Sequence, residues 1–143
     1  MHRPGRTGGF TLIELTIVVA IIGILAVIAI PAFHKMSVRA QEAAVVSNAH
    51  TVQVIAEDFA ASNEGNYAVD DATLLPNGET LSDLLPGGVK NPFDPSGVPV
   101  IWNGAGGNEG EVGYDTTGRE GVGYRIEGLG EDLVTLISVT NGN

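Results

Sequence analysis

Glu14 is the residue of this chain best placed to do unusual chemistry. It follows Gly8-Gly9-Phe10-Thr11-Leu12-Ile13 at the start of an apolar segment, and from Leu15 to Phe33 no residue is charged. A carboxylate near a bilayer interior costs about 2.5 to 3.5 kcal/mol on insertion scales, so it calls for a partner unless it snorkels at the edge of the span. The other acidic candidates are Asp94, Glu109, Glu111 and Asp115, which offer oxygens of the kind Ca²⁺ takes. Their spacing is not that of an EF-hand, and solvated surface is the competing reading. His2, His34 and His50 are scattered and form no HExxH, and Ser96 sits between Pro95 and Gly97 as a turn serine does. Neither GxxxxGK[ST] nor GxGxxG after a strand can be written, and Gly104-Ala105-Gly106-Gly107 reads as a flexible turn. With no cysteine in the chain, disulfides, thiolate zinc sites and a cysteine nucleophile are excluded. No enzyme is expected.

These residues stand in a chain of 143 residues with a formal net charge of -10, long enough for one small domain. Beyond residue 40 only Lys90, Arg119 and Arg125 are basic, against 16 acidic residues. Such a surface repels a phosphate backbone, so sequence-specific nucleic acid is not an expected partner. Twenty glycines and seven prolines point to a turn-rich C-terminal part with a modest core.

The apolar run clears the roughly 18-residue threshold for a membrane-spanning helix. The leader ahead of it, residues 1–9, carries Arg3 and Arg6 and no acid, so the positive-inside rule keeps the N-terminus cytoplasmic and sends the rest outward. An ordinary secretory signal fits poorly. Its apolar core is shorter and ends in a small-residue cleavage site, whereas this run continues through Ile30-Pro31-Ala32-Phe33 into a helical pattern, and no A-x-A site can be written.

Gly8-Gly9-Phe10-Thr11-Leu12-Ile13-Glu14-Leu15 followed by an apolar helix resembles the class III signal of type IV pilins and of the related pseudopilins of type II secretion. The resemblance implies that a prepilin peptidase cuts between Gly9 and Phe10 and methylates the new amine of Phe10. It implies that Glu14 attracts the Phe10 amine of a neighbouring subunit, a pair strengthened by low dielectric. No cofactor is expected from the residues beyond the Ca²⁺ that the acidic candidates could take. The subunit would be a single-pass inner-membrane precursor, N-in and C-out, that meets pilus or secretion machinery and leaves the lipid for a helical homo-oligomer at the cell surface. Adhesion, twitching motility or DNA uptake would be the service performed. The alternative is the major-type pseudopilin of a type II secretion system, which the Asn91-Pro92-Phe93-Asp94-Pro95 segment resembles weakly. The missing cysteines depart from the many pilins that close a C-terminal disulfide loop, so another tether is required, and strand pairing of Leu133 to Thr140 is the natural one.

The positioning elements follow. One helix runs from the apolar segment to about Ser62, where Ser62-Asn63-Glu64-Gly65-Asn66 supplies a stop; at about 1.5 Å per residue it would reach roughly 80 Å. Gly23 and Pro31 interrupt it, and a kink near Ala26 to Pro31 is expected because proline removes a helical hydrogen bond. Pilins carry glycine and proline at matching places, which makes Gly23 to Pro31 the stretch that could melt in a filament. Val45, Ala49, Val52, Ile55 and Phe59 draw an apolar stripe that needs cover. Strands at Val98 to Asn103, Glu111 to Asp115, Val122 to Glu127 and Leu133 to Thr140, with turns at Gly118 and at Gly128 to Gly130, would supply it. The connecting loop runs from Asn63 to Gly97, with a helical turn at Thr80 to Leu85 capped by Asn77 or Thr80 and with Tyr67 as an anchor on the sheet. The expected fold is α+β, a long helix on an antiparallel sheet of three to four strands, which is also the pilin architecture. The divisions are residues 1–9 as leader, 10–33 as membrane and filament-core helix, 34–62 as its amphipathic half, and 63–143 as loop and sheet head.

Overall fold

A computed structural model describes residues 9–116 and 121–141. The leader arginines Arg3 and Arg6, and Gly118, lie outside the described residues. The elements are helix α1 (Leu12–Ser62), strands β1 (Val100–Trp102), β2 (Val112–Asp115), β3 (Tyr124–Leu129) and β4 (Thr135–Asn141), with a 3-10 turn at Glu131–Leu133. The chain divides into two compact units, Met1–Ser37 and Val38–Asn143.

In the N-terminal unit the described residues are helical from Leu12 and carry apolar side chains that the protein leaves uncovered. The helix is unbroken through Gly23 and Pro31.

In the C-terminal unit, α1 buries Val45, Ala49, Val52, Ile55 and Phe59, with Ala56 and Ala60 beside them. The five stripe positions recur every three or four residues, so they share one face of a 3.6-residue helix. Against them pack Val100, Val112, Tyr114, Tyr124 and Ile126 from the sheet and Ala68, Leu75 and Leu81 from the loop. The helix ends as the sequence signals. Glu64 takes the left-handed conformation (φ 56°), and the Gly65 amide donates back to the Ala60 carbonyl at 2.8 Å, a Schellman closure.

The sheet order is β1-β2-β3-β4, with β2-β3 and β3-β4 antiparallel. All four expected strands form. The expectation of a wholly antiparallel sheet is corrected at one edge, because β1 runs parallel to β2, with Val100 opposite Val112 and Trp102 opposite Tyr114. A parallel connection usually takes a dozen or more residues and a helix. Here residues 103–111 suffice. Asn103 turns at φ 60°, the Gly104 amide donates to the Tyr114 carbonyl at 2.9 Å, and the chain returns across the face of β2 at Gly113. A Cβ on Gly113 would meet the Gly106 nitrogen at 2.6 Å and the Gly104 oxygen at 2.7 Å, so only glycine permits the crossing.

Gly128 is a second correction. It lies inside β3, paired with Val112 and Ile137, and the β3-β4 turn begins at Gly130. An added Cβ there would meet Val45 Cγ1 at 2.9 Å and Ile137 Cγ2 at 3.0 Å, so this glycine marks close helix-to-sheet approach and not a turn. Leu133 falls in that turn, outside β4.

The connecting loop is held by side chains. Gln41 Nε2 donates to the Pro92 carbonyl at 3.0 Å and Asn48 Nδ2 to the Lys90 carbonyl at 2.9 Å. Thr80 caps the turn after it, its Oγ1 accepting from the Asp83 amide at 3.2 Å while Asp83 Oδ2 accepts from the Thr80 amide at 2.9 Å. Asn77 instead accepts from the Glu79 amide.

Candidate functional site

The N-terminal segment is built on a capping box. Thr11 precedes α1 and its Oγ1 accepts the Glu14 amide at 3.3 Å, while Glu14 Oε2 accepts the Thr11 amide at 2.8 Å and the Thr11 hydroxyl at 2.6 Å. Two of the orphan donors at the helix start are thereby satisfied reciprocally. The carboxylate also sits in the first turn, where the helix dipole favours negative charge. Oε1 accepts no hydrogen bond among the described residues. Gly9 and Phe10 lie before the helix, and Phe10 is 77% exposed.

Behind this box the exposed apolar side chains continue from Leu12 to Phe33. This part of α1 is long and apolar enough to cross a membrane, and none of its most apolar stretch is buried within the protein. A surface of this kind is stable only against lipid or other protein. Gly23 and Pro31 both lie within it.

The acidic candidates do not converge on a metal. Among the described residues no group of three or more His, Asp and Glu side chains could hold one. Asp94 Oδ1 accepts the Ser96 amide at 3.0 Å and the Ser96 hydroxyl at 2.6 Å, which makes an Asx turn and accounts for Ser96. Glu109 Oε1 accepts the Asp132 amide at 2.9 Å, and Asp115 has partners of its own. Glu111 points inward and is nearly buried, accepting the amides of Gly107 and Asn108 and the Asn108 side chain. Its burial opposes ionisation, but the three donors outweigh it and hold the carboxyl below the usual range. His34 is exposed, and His50 Nδ1 lies 3.3 Å from Gln53 Oε1; His2 lies outside the described residues.

Two polar residues that periodicity passes over organise the C-terminal unit. Asn91 is almost fully buried, donating to the Glu109 carbonyl at 2.8 Å and accepting the Phe93 and Asp94 amides at 2.9 and 3.0 Å. Glu57, on α1, accepts the Tyr124 hydroxyl at 2.8 Å, the Asn141 side chain at 2.8 Å and the Tyr67 hydroxyl at 2.9 Å. The Tyr67 ring meets Tyr124 edge-on at 5.1 Å, so Tyr67 does anchor the loop. This clamp joins helix, loop, β3 and the end of β4, adding a second tether to the β3-β4 pairing.

The Tyr124 hydroxyl is the largest influence on Glu57; together with Asn141 and Tyr67 it outweighs desolvation and holds the carboxyl below its ordinary range. A depressed carboxyl stabilises the fold above its unfolded pKa of about 4.3 and loses that effect as pH falls through the folded value. Glu57→Gln is therefore expected to lower the melting temperature at pH 7 by about 3 to 6 °C, near 1 kcal/mol, because screening by water limits an exposed carboxylate. Thermal melts at pH 7 and pH 3 check it: the gap between wild type and variant should close in acid, and a gap that persists there would exclude ionisation as the source.

The prokaryotic N-terminal methylation motif matches residues 5–30. A fimbrial protein of Dichelobacter nodosus is 37% identical over 141 residues, covering 87% of this chain and 88% of that protein. A type IV major fimbrial protein of the same organism is 36% identical over 141 residues with the same coverage. The type IV major pilin protein of Myxococcus xanthus is 50% identical over 54 residues, 38% of this chain and 24% of its own length. No solved structure matches the chain. Identity of this order over nearly the whole of both chains, joined to a helix that is capped and apolar in its first half and packs on a small sheet from Val45 onward, places the chain in the type IV fimbrial protein, or pilin, family.

Proposed function

We propose that the chain is the repeating subunit of an extracellular type IV pilus, held in the inner membrane as a single-pass precursor, N-in and C-out, until assembly machinery draws it into a filament. The observation that carries this is the uncovered apolar helix, whose length suits a bilayer first and a bundle of like helices afterwards. The prepilin peptidase cuts after Gly9 and methylates the Phe10 amine, which removes Arg3 and Arg6 and with them the charges that fix the chain to the cytoplasmic face. Glu14 then serves twice. Oε2 caps its own helix, and Oε1 is available to the Phe10 amine of the incoming subunit. Gly23 to Pro31 is the stretch that gives up helicity on packing. The relatives' names, fimbrial and pilin, favour the pilus over a secretion pseudopilus.

Intact-mass measurement of assembled subunits tests the processing step: the mature chain should begin at methylated Phe10. A bulkier residue at Gly9 should leave the leader attached and strand the precursor in the membrane, and filaments whose subunits retain Met1 to Gly9 would sink this reading.

Glu14→Gln tests the pairing role. Glutamine is nearly isosteric and cheaper to hold in lipid, so insertion is unharmed, while attraction for the incoming amine is lost. Desolvated charge pairs contribute on the order of 1.5 to 7 kcal/mol to recognition, so surface filaments should fall at least tenfold at matched membrane subunit levels. Wild-type filament numbers from a fully processed variant would leave Glu14 with its capping role alone.

A further inference from the structure

We infer that Trp102, Tyr114, Tyr124 and Tyr67 form a redox relay through the C-terminal unit, carrying an oxidising equivalent taken up at Trp102 to the two tyrosines that face Glu57, whose carboxylate accepts the phenolic proton. The oxidant is a one-electron radical and the final reductant a small thiol. The relay works within one subunit, so it holds whether or not the chain polymerises. Its members are the chain's single tryptophan and all three of its tyrosines, and they stand in one unbroken series. Trp102 meets Tyr114 edge-on with ring centroids 5.7 Å apart, Tyr114 stacks on Tyr124 at 5.9 Å, and Tyr124 meets Tyr67 edge-on at 5.1 Å, all within ring-contact range. Trp102 and Tyr67 are half-buried, whereas Tyr114 and Tyr124 are fully buried. The series therefore runs from surface to surface through the core.

The hydroxyl partners divide the series by chemistry. Tyr114 donates to the Ala68 carbonyl at 2.9 Å, and a carbonyl does not carry a proton away. Tyr124 and Tyr67 donate to the two oxygens of the Glu57 carboxylate at 2.8 and 2.9 Å, and a carboxylate does. A phenol yields an electron readily only when its proton leaves too, so Tyr114 is the bridge and Tyr124 and Tyr67 are the sinks. Burial first, then the Glu57 contact, pushes the Tyr124 phenol above its ordinary range, so no phenolate stands ready and the two particles must depart together. With no cysteine in the chain, these rings are its groups most open to one-electron attack. The radical takes an electron from Trp102 and becomes its anion. Tyr124 returns an electron to the Trp102 radical cation through Tyr114 while its proton passes to Glu57, leaving intact tryptophan, a tyrosyl radical and a neutral carboxyl. Tyr67 then reduces Tyr124, giving its proton to Glu57 as Glu57 returns one to Tyr124. At the surface a thiol gives a hydrogen atom to Tyr67 and Glu57 releases its proton to water. The net change is oxidant radical plus thiol to oxidant anion, thiyl radical and proton.

Pulse radiolysis of the full chain in non-ionic detergent, with azide radical as the oxidant, tests the relay. The visible band of the tryptophan radical should decay in a first-order process, at a rate unchanged by diluting the protein, as the near-ultraviolet band of the tyrosyl radical grows. Tyr124→Phe keeps the ring and removes the sink; Glu57→Gln keeps an acceptor that takes no proton. Each should slow the transfer at least about tenfold, since a positioned proton acceptor is worth that much or more. Tyr67→Phe also loses a hydrogen bond to Glu57, yet should leave the tryptophan decay unchanged and slow only the repair by added cysteamine. A tryptophan radical that decays only by bimolecular encounter in the wild type would overturn the inference, as would transfer of wild-type speed in Tyr124→Phe or Glu57→Gln. Slowed tryptophan decay in Tyr67→Phe would make loosening of the clamp the cause and would also overturn it.

Discussion

A chain that begins at Lys35 is expected to be a soluble monomer with an intact head and to form no filament. The head has its own core: Val38–Asn143 is a compact unit, and the side chains that close it come from α1 beyond Val45, from the loop and from the sheet. The segment removed, Phe10 to Phe33, contributes nothing to that core, since every large apolar side chain in it is exposed. Burying one such Leu or Ile is worth about 1.5 to 3 kcal/mol, so a dozen of them outweigh any surface ion pair, which gives about 1 kcal/mol at most. Sedimentation and negative-stain imaging check the outcome. Filaments of this fragment in dilute buffer would mean that the heads carry the assembly and the helix does not.

Gly113→Ala should cost the head about 3 kcal/mol or more, a fall of about 10 °C or more in melting temperature. The added methyl would meet three backbone positions within 3 Å, at Gly104, Ala105 and Gly106, and backbone in a return loop cannot step aside as a flexible side chain can. Relief requires lifting residues 104–106 from the face of β2, which also loosens the Gly104 amide from the Tyr114 carbonyl and with it the hold on β1. Gly88→Ala is the control, with nothing within 4 Å of the added atom, and should change stability by less than about 0.5 kcal/mol. Equal melting temperatures for the two variants would show that the crossing is not as tight as its distances indicate.

Much of this architecture can be read from residues alone, because local pattern and final packing agree. The stripe from Val45 to Phe59 is the buried face of α1, the polar run after Ser62 ends the helix, and all four strands form close to their expected places. What escapes is non-local. The direction of β1 depends on Gly113 lacking a side chain, a condition set by a loop that crosses a different strand. Glu57, Asn91 and Glu111 carry polar side chains that look solvated by type. For Glu57 and Asn91 the partners that decide otherwise lie up to 84 positions away, as for Glu57 and Asn141. The capping role of Glu14 is a different kind of miss. Thr11-Leu12-Ile13-Glu14 carries the T-x-x-E signal ahead of an apolar run, but a reading that starts the helix at Phe10 takes the carboxylate for a membrane charge only.

The Glu57 clamp also determines how the head responds to force. When a load enters through the head and leaves along α1, a disulfide loop would shield the residues between its sulfurs from extension. Here nothing covalent joins β4 to the rest of the head except the chain itself, so once the hydrogen bonds to Glu57 and the β3-β4 pairing part, the strands can pay out in turn, each residue adding up to about 3.3 to 3.6 Å of length. Hydrogen bonds of this kind re-form without an oxidant once tension drops. A fibre of such subunits would lengthen under a pull and recover afterwards, and its extensibility would be indifferent to the redox state of its surroundings.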